Sequence, residues 1–272
     1  MQLAAIHLLP PFALATLVLL SMVVAIEVGY RIGLRTRRRA SDPEAIVKRD
    51  VTLGAMLALL GLLLAFTYSF SLSRADLRKE AVLAEANALS TAFLRADLVD
   101  EPARSALRRA LYDYARTRVV LQEQVRTKEQ LEAVIAHSEA AQRELWPVLS
   151  QAVEVDTPGP LQNALVQSIT EVLDLHTTRV SRIGDRLPEV VFWLMVLVAA
   201  GALAVAAHNG GLAGRISRSR MAVFAVVLSG LIAVIMDFDQ PQRGTITISQ
   251  APIEMTVKSM ADDLAAEGQR MH

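Results

Sequence analysis

Two groups of residues in this sequence have types and spacings suited to chemistry, and both lie around an apolar run near position 60. Leu62, Phe66 and Phe70 recur at steps of four, which on a helix sets them in one row along a single face. Ringed around an axis by several copies of the chain, such a row forms a hydrophobic constriction that gates ions by dewetting. Ordinary packing between helices gives the same spacing, and periodicity alone does not separate the two. Thr67, Ser69, Ser71 and Ser73 add hydroxyls, and Ser73, Arg74 and Arg78, with Lys79, place polar and positive groups at the mouth of the run. Such a mouth attracts anions, although basic residues also anchor helix ends at a membrane interface. Gly54, Ala58, Gly61 and Ala65, followed by Ser69, make a second stripe on the same helix. It is built of small residues and suits close approach by another helix.

Signatures of catalysis are missing. The sequence has no glycine-rich phosphate loop, no nucleophile elbow and no pair of histidines at metal spacing. It contains no cysteine, which excludes disulfides, thiolate metal sites and a cysteine nucleophile. His7, His137, His176, His208 and His272 are scattered over different segments. Glu171, Asp174 and His176 lie close together, but offsets of three and two do not bring all three onto one helical face. The expectation is therefore no enzyme, no cofactor and no metal.

The elements that must position these residues are mostly membrane helices. The chain has 272 residues, 53% hydrophobic composition and a mean hydropathy of +0.35, and the apolar residues gather in blocks. A spanning helix needs about 20 apolar residues. Four blocks meet or approach that requirement: 8–26 after Pro10-Pro11, the charge-free 51–73, 190–207 after Pro188, and the shorter 221–236, which stops at Asp237. A soluble chain of this size could not cover four such stretches with its remaining polar sequence.

Between the second and third blocks the pattern changes to amphipathic helix. The second span has no breaker at its end, so its helix continues through Arg74, Leu77, Val82, Glu85, Leu89 and Phe93 to about Leu98. Asp100-Glu101-Pro102 is a helix start. Stripes follow through Leu107, Leu111, Tyr114 and Leu121, and through Leu131, Val134, Ile135, Ser138, Ala141, Leu145, Val148 and Leu149, with a kink expected at Pro147. Asp156-Thr157-Pro158-Gly159-Pro160 marks a break before the last helix of the region. Thr245 to Ser249 alternates like a strand, and 253–266 reads as a short amphipathic helix.

The fold class expected is an all-α integral membrane protein with four transmembrane helices and a helical bundle inserted between the second and third. The parts are 1–73 (the first two spans with basic loop 31–50), 74–186 (extramembrane bundle), 187–238 (the third and fourth spans) and 239–272 (C-terminal tail). Loop 31–50 carries Arg31, Arg35, Arg37, Arg38, Arg39, Lys48 and Arg49, and loop 208–220 carries Arg215, Arg218 and Arg220 with no acid. The positive-inside rule makes both loops cytoplasmic, with the N-terminus and the helical domain extracytoplasmic, in a plasma or bacterial inner membrane. Twenty-eight basic and twenty-eight acidic residues cancel, which argues against nucleic acid as a partner.

Several stretches resemble the bestrophin-like family of mostly bacterial membrane proteins. They are LGLLLAFTYSFSLSR (60–74), EANALSTAFLRADL (85–98), DLHTTR (174–179), the Arg186-Leu187-Pro188 lead-in to the third span, and DFDQPQRGTITISQ (237–250). Bestrophins are pentameric anion channels whose pore neck is lined by apolar residues at steps of four on the second transmembrane helix. The resemblance implies a homo-oligomer in the lipid bilayer passing chloride or other small anions, with Leu62, Phe66 and Phe70 as the neck. In bestrophins the helical domain is cytosolic, the reverse of what the loop charges imply here, and no acidic calcium-clasp run is present. An alternative role is a membrane-anchored sensor or scaffold whose helical domain binds a partner or ligand.

Overall fold

The computed structural model describes residues 11–39, 51–119, 127–154, 158–239 and 247–270. These residues form the helices α1 (Pro11–Arg37), α2 (Thr52–Ala96), α3 (Ala103–Thr117), α4 (Lys128–Glu154), α5 (Gly159–Gly184), α6 (Glu189–Leu212), α7 (Arg218–Asp239) and α8 (Ala251–Arg270). Four helical stretches, Phe12–Arg37, Thr52–Ala96, Gly159–Leu212 and Arg218–Asp239, are long and apolar enough to cross a membrane. Apart from residues 8–10, which lie outside the described residues, the four apolar blocks of the sequence fall within α1, α2, α6 and α7, Val51 alone preceding its helix.

The helices group into two units, one of residues 1–73 and 186–246, the other of residues 74–185 and 247–272. In the first, Leu14, Val18 and Met22 of α1, Leu60 and Leu64 of α2, Phe192, Met195, Ala199 and Leu203 of α6, and Ala225, Ile232 and Ile235 of α7 make one buried cluster. α1 and α6 cross closely because glycines remove the obstacle. A Cβ at Gly29 would overlap the backbone of Ala204, one at Gly33 the backbone of His208, and one at Gly211 of α6 the carbonyl of Tyr30. Away from this core, Phe12, Leu20 and Val24 of α1, Val190 and Leu197 of α6, and Val223 and Val226 of α7 are exposed. Apolar faces of that extent suit lipid, where helices satisfy their own backbone groups. α1 runs past the expected end of its span, and its Glu27 carboxylate accepts from Arg31 Nε one turn on, at 2.6 Å.

In the second unit the far half of α2 packs with α3, α4, α5 and α8. Leu89, Phe93, Leu107, Leu111, Tyr114, Leu145, Leu149, Leu165, Ile169 and Val172 form its core. α4 continues through Pro147 to Glu154. The segment expected as a strand differs: Thr247 to Ser249 form none, and 245–246 lie outside the described residues. The residues set apart as a tail supply α8, which buries Ile253 and Met260 in this core, with Val257 and Leu264 packed against it. Steps of three and four give α8 one apolar stripe, and the core is where that stripe leaves water. Arg108 fastens its far end, bonding Asp97 and Glu267 (2.8 Å to the latter) while stacking 4.2 Å over the Phe93 ring.

Candidate functional site

α2 has two unlike faces where it belongs to the first unit. Leu60, Leu64 and Thr67 are 2–5% exposed, and the Thr67 hydroxyl donates to the Leu63 carbonyl at 2.8 Å while touching Met195 Sδ at 3.2 Å. Leu62, Phe66 and Phe70 are 56%, 56% and 61% exposed. Gly54, Ala58, Gly61, Ala65 and Ser69 are exposed too, and a Cβ at Gly54 or Gly61 would meet nothing within 4 Å. The bulky row and the small-residue stripe thus lie on adjoining parts of one outward face. The hydroxyls divide by helix geometry, Thr67 and Ser71 buried, Ser69 and Ser73 exposed. Of the basic residues expected at the mouth, Arg74 is half-buried, but Arg78 is buried. Its guanidinium donates to the carbonyls of Arg182 (3.1 Å) and Asp185. Arg78 sits on the core-facing row of α2 and caps the C-terminal end of α5, whose last carbonyls have no helical donor.

A second arrangement, which the sequence reading passed over, lies in the second unit. The Glu85 carboxylate of α2 is fully buried. Its Oε1 accepts from Arg118 Nε at 2.6 Å and its Oε2 from Arg179 Nη1 at 2.6 Å. The Tyr114 hydroxyl of α3 lies 3.4 Å from Glu85 Oε1 and 3.0 Å from Nδ1 of His176 on α5. Arg179 also donates from Nη2 to Gln250 Oε1 at 2.5 Å. Burial pushes the Glu85 carboxyl up, but the charges and hydrogen bonds of Arg118 and Arg179 outweigh it and hold the group below the usual carboxylate range. Burial, then the charge of Arg118, push His176 below its ordinary value, against the pull of Glu85 and Glu139. Burial raises the Tyr114 phenol.

Neighbouring Glu171 and Asp174 are exposed while His176 is buried, so the three do not converge. Among the described residues no group of three His, Asp or Glu side chains is placed to hold a metal ion. A signal for the buried cluster was present in the sequence. Glu85 interrupts an otherwise apolar row of Val82, Leu89 and Phe93, and a charge at a core position needs a partner. Arg118 lies one turn beyond Tyr114 on an equally apolar row. In the first unit a comparable anchor holds the lead-in to α6: the buried Asp239 carboxylate accepts from the Leu187 N–H at 2.8 and 2.9 Å.

Comparison with known proteins identifies the family and the fold. A bestrophin-like domain matches residues 17–253, and no curated protein matches the chain. Among solved structures, a bestrophin homologue from Klebsiella pneumoniae, crystallised as a point variant, aligns with a TM-score of 0.60 at 10% identity, covering 91% of this chain and 98% of that one. A crystal structure described as a membrane protein aligns at 0.59 and 12% identity, over 93% and 96% of the two chains. At such identities the likeness is one of fold. Segments quoted above for the resemblance supply most of the buried cluster: 85–98 opens with Glu85, 174–179 carries His176 and Arg179, and 237–250 ends at Gln250.

Proposed function

The chain belongs to the bestrophin-like family and is a multi-pass helical membrane protein, and on that footing we propose that it forms a homo-oligomeric anion channel lined by α2. The observation that carries this reading is the outward row of Leu62, Phe66 and Phe70 on a helix whose opposite face is buried. Several copies around an axis would give both exposed rows a role. The stripe of Gly54, Ala58, Gly61 and Ala65 admits a neighbouring helix closely, and the bulky row converges on an apolar neck where width and wetting control passage. Small anions such as chloride are the permeant class, with Ser73 and Arg74 at the mouth favouring negative charge.

The second unit is then a helical bundle inserted between the second and third spans, on the extracytoplasmic side. A Cβ at Gly214 would overlap the guanidinium of Arg37, so the two arginine-bearing loops start at the same end of the first unit. That supports a common cytoplasmic side for both. Purified protein in liposomes loaded with a halide-quenched dye tests the channel. Wild type is expected to pass chloride, and Phe66→Ala with Phe70→Ala to pass it faster. An intact oligomer that passes none in either form refutes the proposal.

A further inference from the structure

His176 closes a hydrogen-bond chain whose direction depends on its charge. The Tyr114 hydroxyl, between His176 Nδ1 at 3.0 Å and Glu85 Oε1 at 3.4 Å, has one proton to give. With a neutral ring accepting at Nδ1, the hydroxyl donates to His176. With both ring nitrogens protonated, Nδ1–H donates to the phenol oxygen, and the hydroxyl turns to Glu85.

Charging the ring also changes the forces on its neighbours. The groups facing it are Glu85 of α2, Tyr114 of α3 with Arg118 at its C-terminal cap, Glu139 of α4, and Arg179 of its own helix. Glu85 is already shared by two guanidiniums, and Glu139 is exposed. A third cation therefore enters a buried cluster that holds one carboxylate and two guanidiniums, and it repels both guanidiniums. Arg179 lies less than one turn from His176, and its other amino group holds Gln250, the residue immediately before α8.

The geometry points to a proton-operated latch on the C-terminal helix: protonation of His176 displaces Arg179 from Gln250 and loosens the start of α8 from the bundle. The far end of α8 stays fastened by Arg108 and Glu267, so the release is local and graded along the helix. This inference does not rest on ion conduction, and its test does not read conduction.

Amide hydrogen exchange on the full chain in lipid nanodiscs, corrected for the intrinsic pH dependence of exchange, tests it. Between pH 7.5 and 5.5 the amides of 251–258 are expected to lose protection about tenfold, and those of 264–270 to change less. His176→Gln should remove the pH dependence while leaving α8 protected at pH 7.5. A flat wild-type profile overturns the latch, as does a variant whose slope equals that of wild type. Should the variant fail to fold, C2–H exchange of His176 in the wild-type protein supplies its titration midpoint. Coincidence of that midpoint with the loss of α8 protection supports the latch, and a separation of more than about one pH unit overturns it.

Discussion

Glu85→Gln removes the single carboxylate that two buried guanidiniums share, with almost no change in volume. Glu85 is 0% exposed, and the side chains of Arg118 and Arg179 are 4% and 7% exposed, so water cannot replace the lost charge. Taking one partner from a buried ion pair costs about 3–5 kcal/mol, most of it from the charges left behind. The amide oxygen still accepts one hydrogen bond, which puts the expected loss near the lower bound, about 3 kcal/mol. For a domain of this size that lowers the midpoint of thermal unfolding by roughly 6–12 °C. Trp146 reports on the second unit once Trp193 has been replaced by Phe, because these are the only tryptophans in the chain. Exchanging all three charges for apolar side chains (Glu85→Leu, Arg118→Met, Arg179→Leu) should be close to neutral, since no uncompensated charge then remains. A Glu85→Gln loss below about 1 kcal/mol, or a triple variant as unstable as the single one, would refute the reasoning.

The other predictions follow from the packing and the titrating groups. Gly29→Leu or Gly33→Leu should separate α1 from α6 and lower the yield of folded protein in detergent, whereas Gly61→Ala, where a Cβ meets nothing within the chain, should leave single-chain folding unchanged; size-exclusion profiles compare them. Stability of the second unit should fall with acid in two stages. His176 binds its proton in the folded state below its ordinary 6.5, so the unfolded chain takes up that proton first and stability is lost as pH drops below about 6.5. Glu85, held below its ordinary 4.5, contributes stability that is present above that pH and lost as pH falls further. Urea midpoints from pH 8 to 4 read both stages, and His176→Gln should erase only the upper one. A reporter fused after residue 272 should be active outside the cytoplasm if the loop charges set the orientation, and inactive there if they do not.

Much of the architecture was legible because membrane spans and amphipathic helices are local patterns. The charge-free run 51–73, the lack of a breaker beyond it, and Pro188 before the third span state where α2 and α6 lie without reference to the rest of the chain. What could not be read was pairing across long separations. The apolar stripe at 253–266 announces a helix but not which core it joins. Arg78 and Arg179 look like any surface arginine until the α5 carbonyls and the Glu85 carboxylate are placed beside them. Gly29 and Gly33 stand four apart in α1, a spacing that reads as close packing only once α6 supplies the opposing backbone. For the outward face of α2 the spacing was visible and its exposure was not, since a row at steps of four is equally compatible with a buried seam.

Absence of cysteine makes that face directly accessible to test. A single cysteine in place of Phe66, in protein reconstituted into liposomes, can be modified by a charged methanethiosulfonate reagent while chloride flux is recorded. With α2 lining the path, modification should change the flux of Phe66→Cys protein sharply and leave wild-type flux untouched. Flux through Phe66→Cys protein that stays the same after complete modification, verified by mass, would contradict the account.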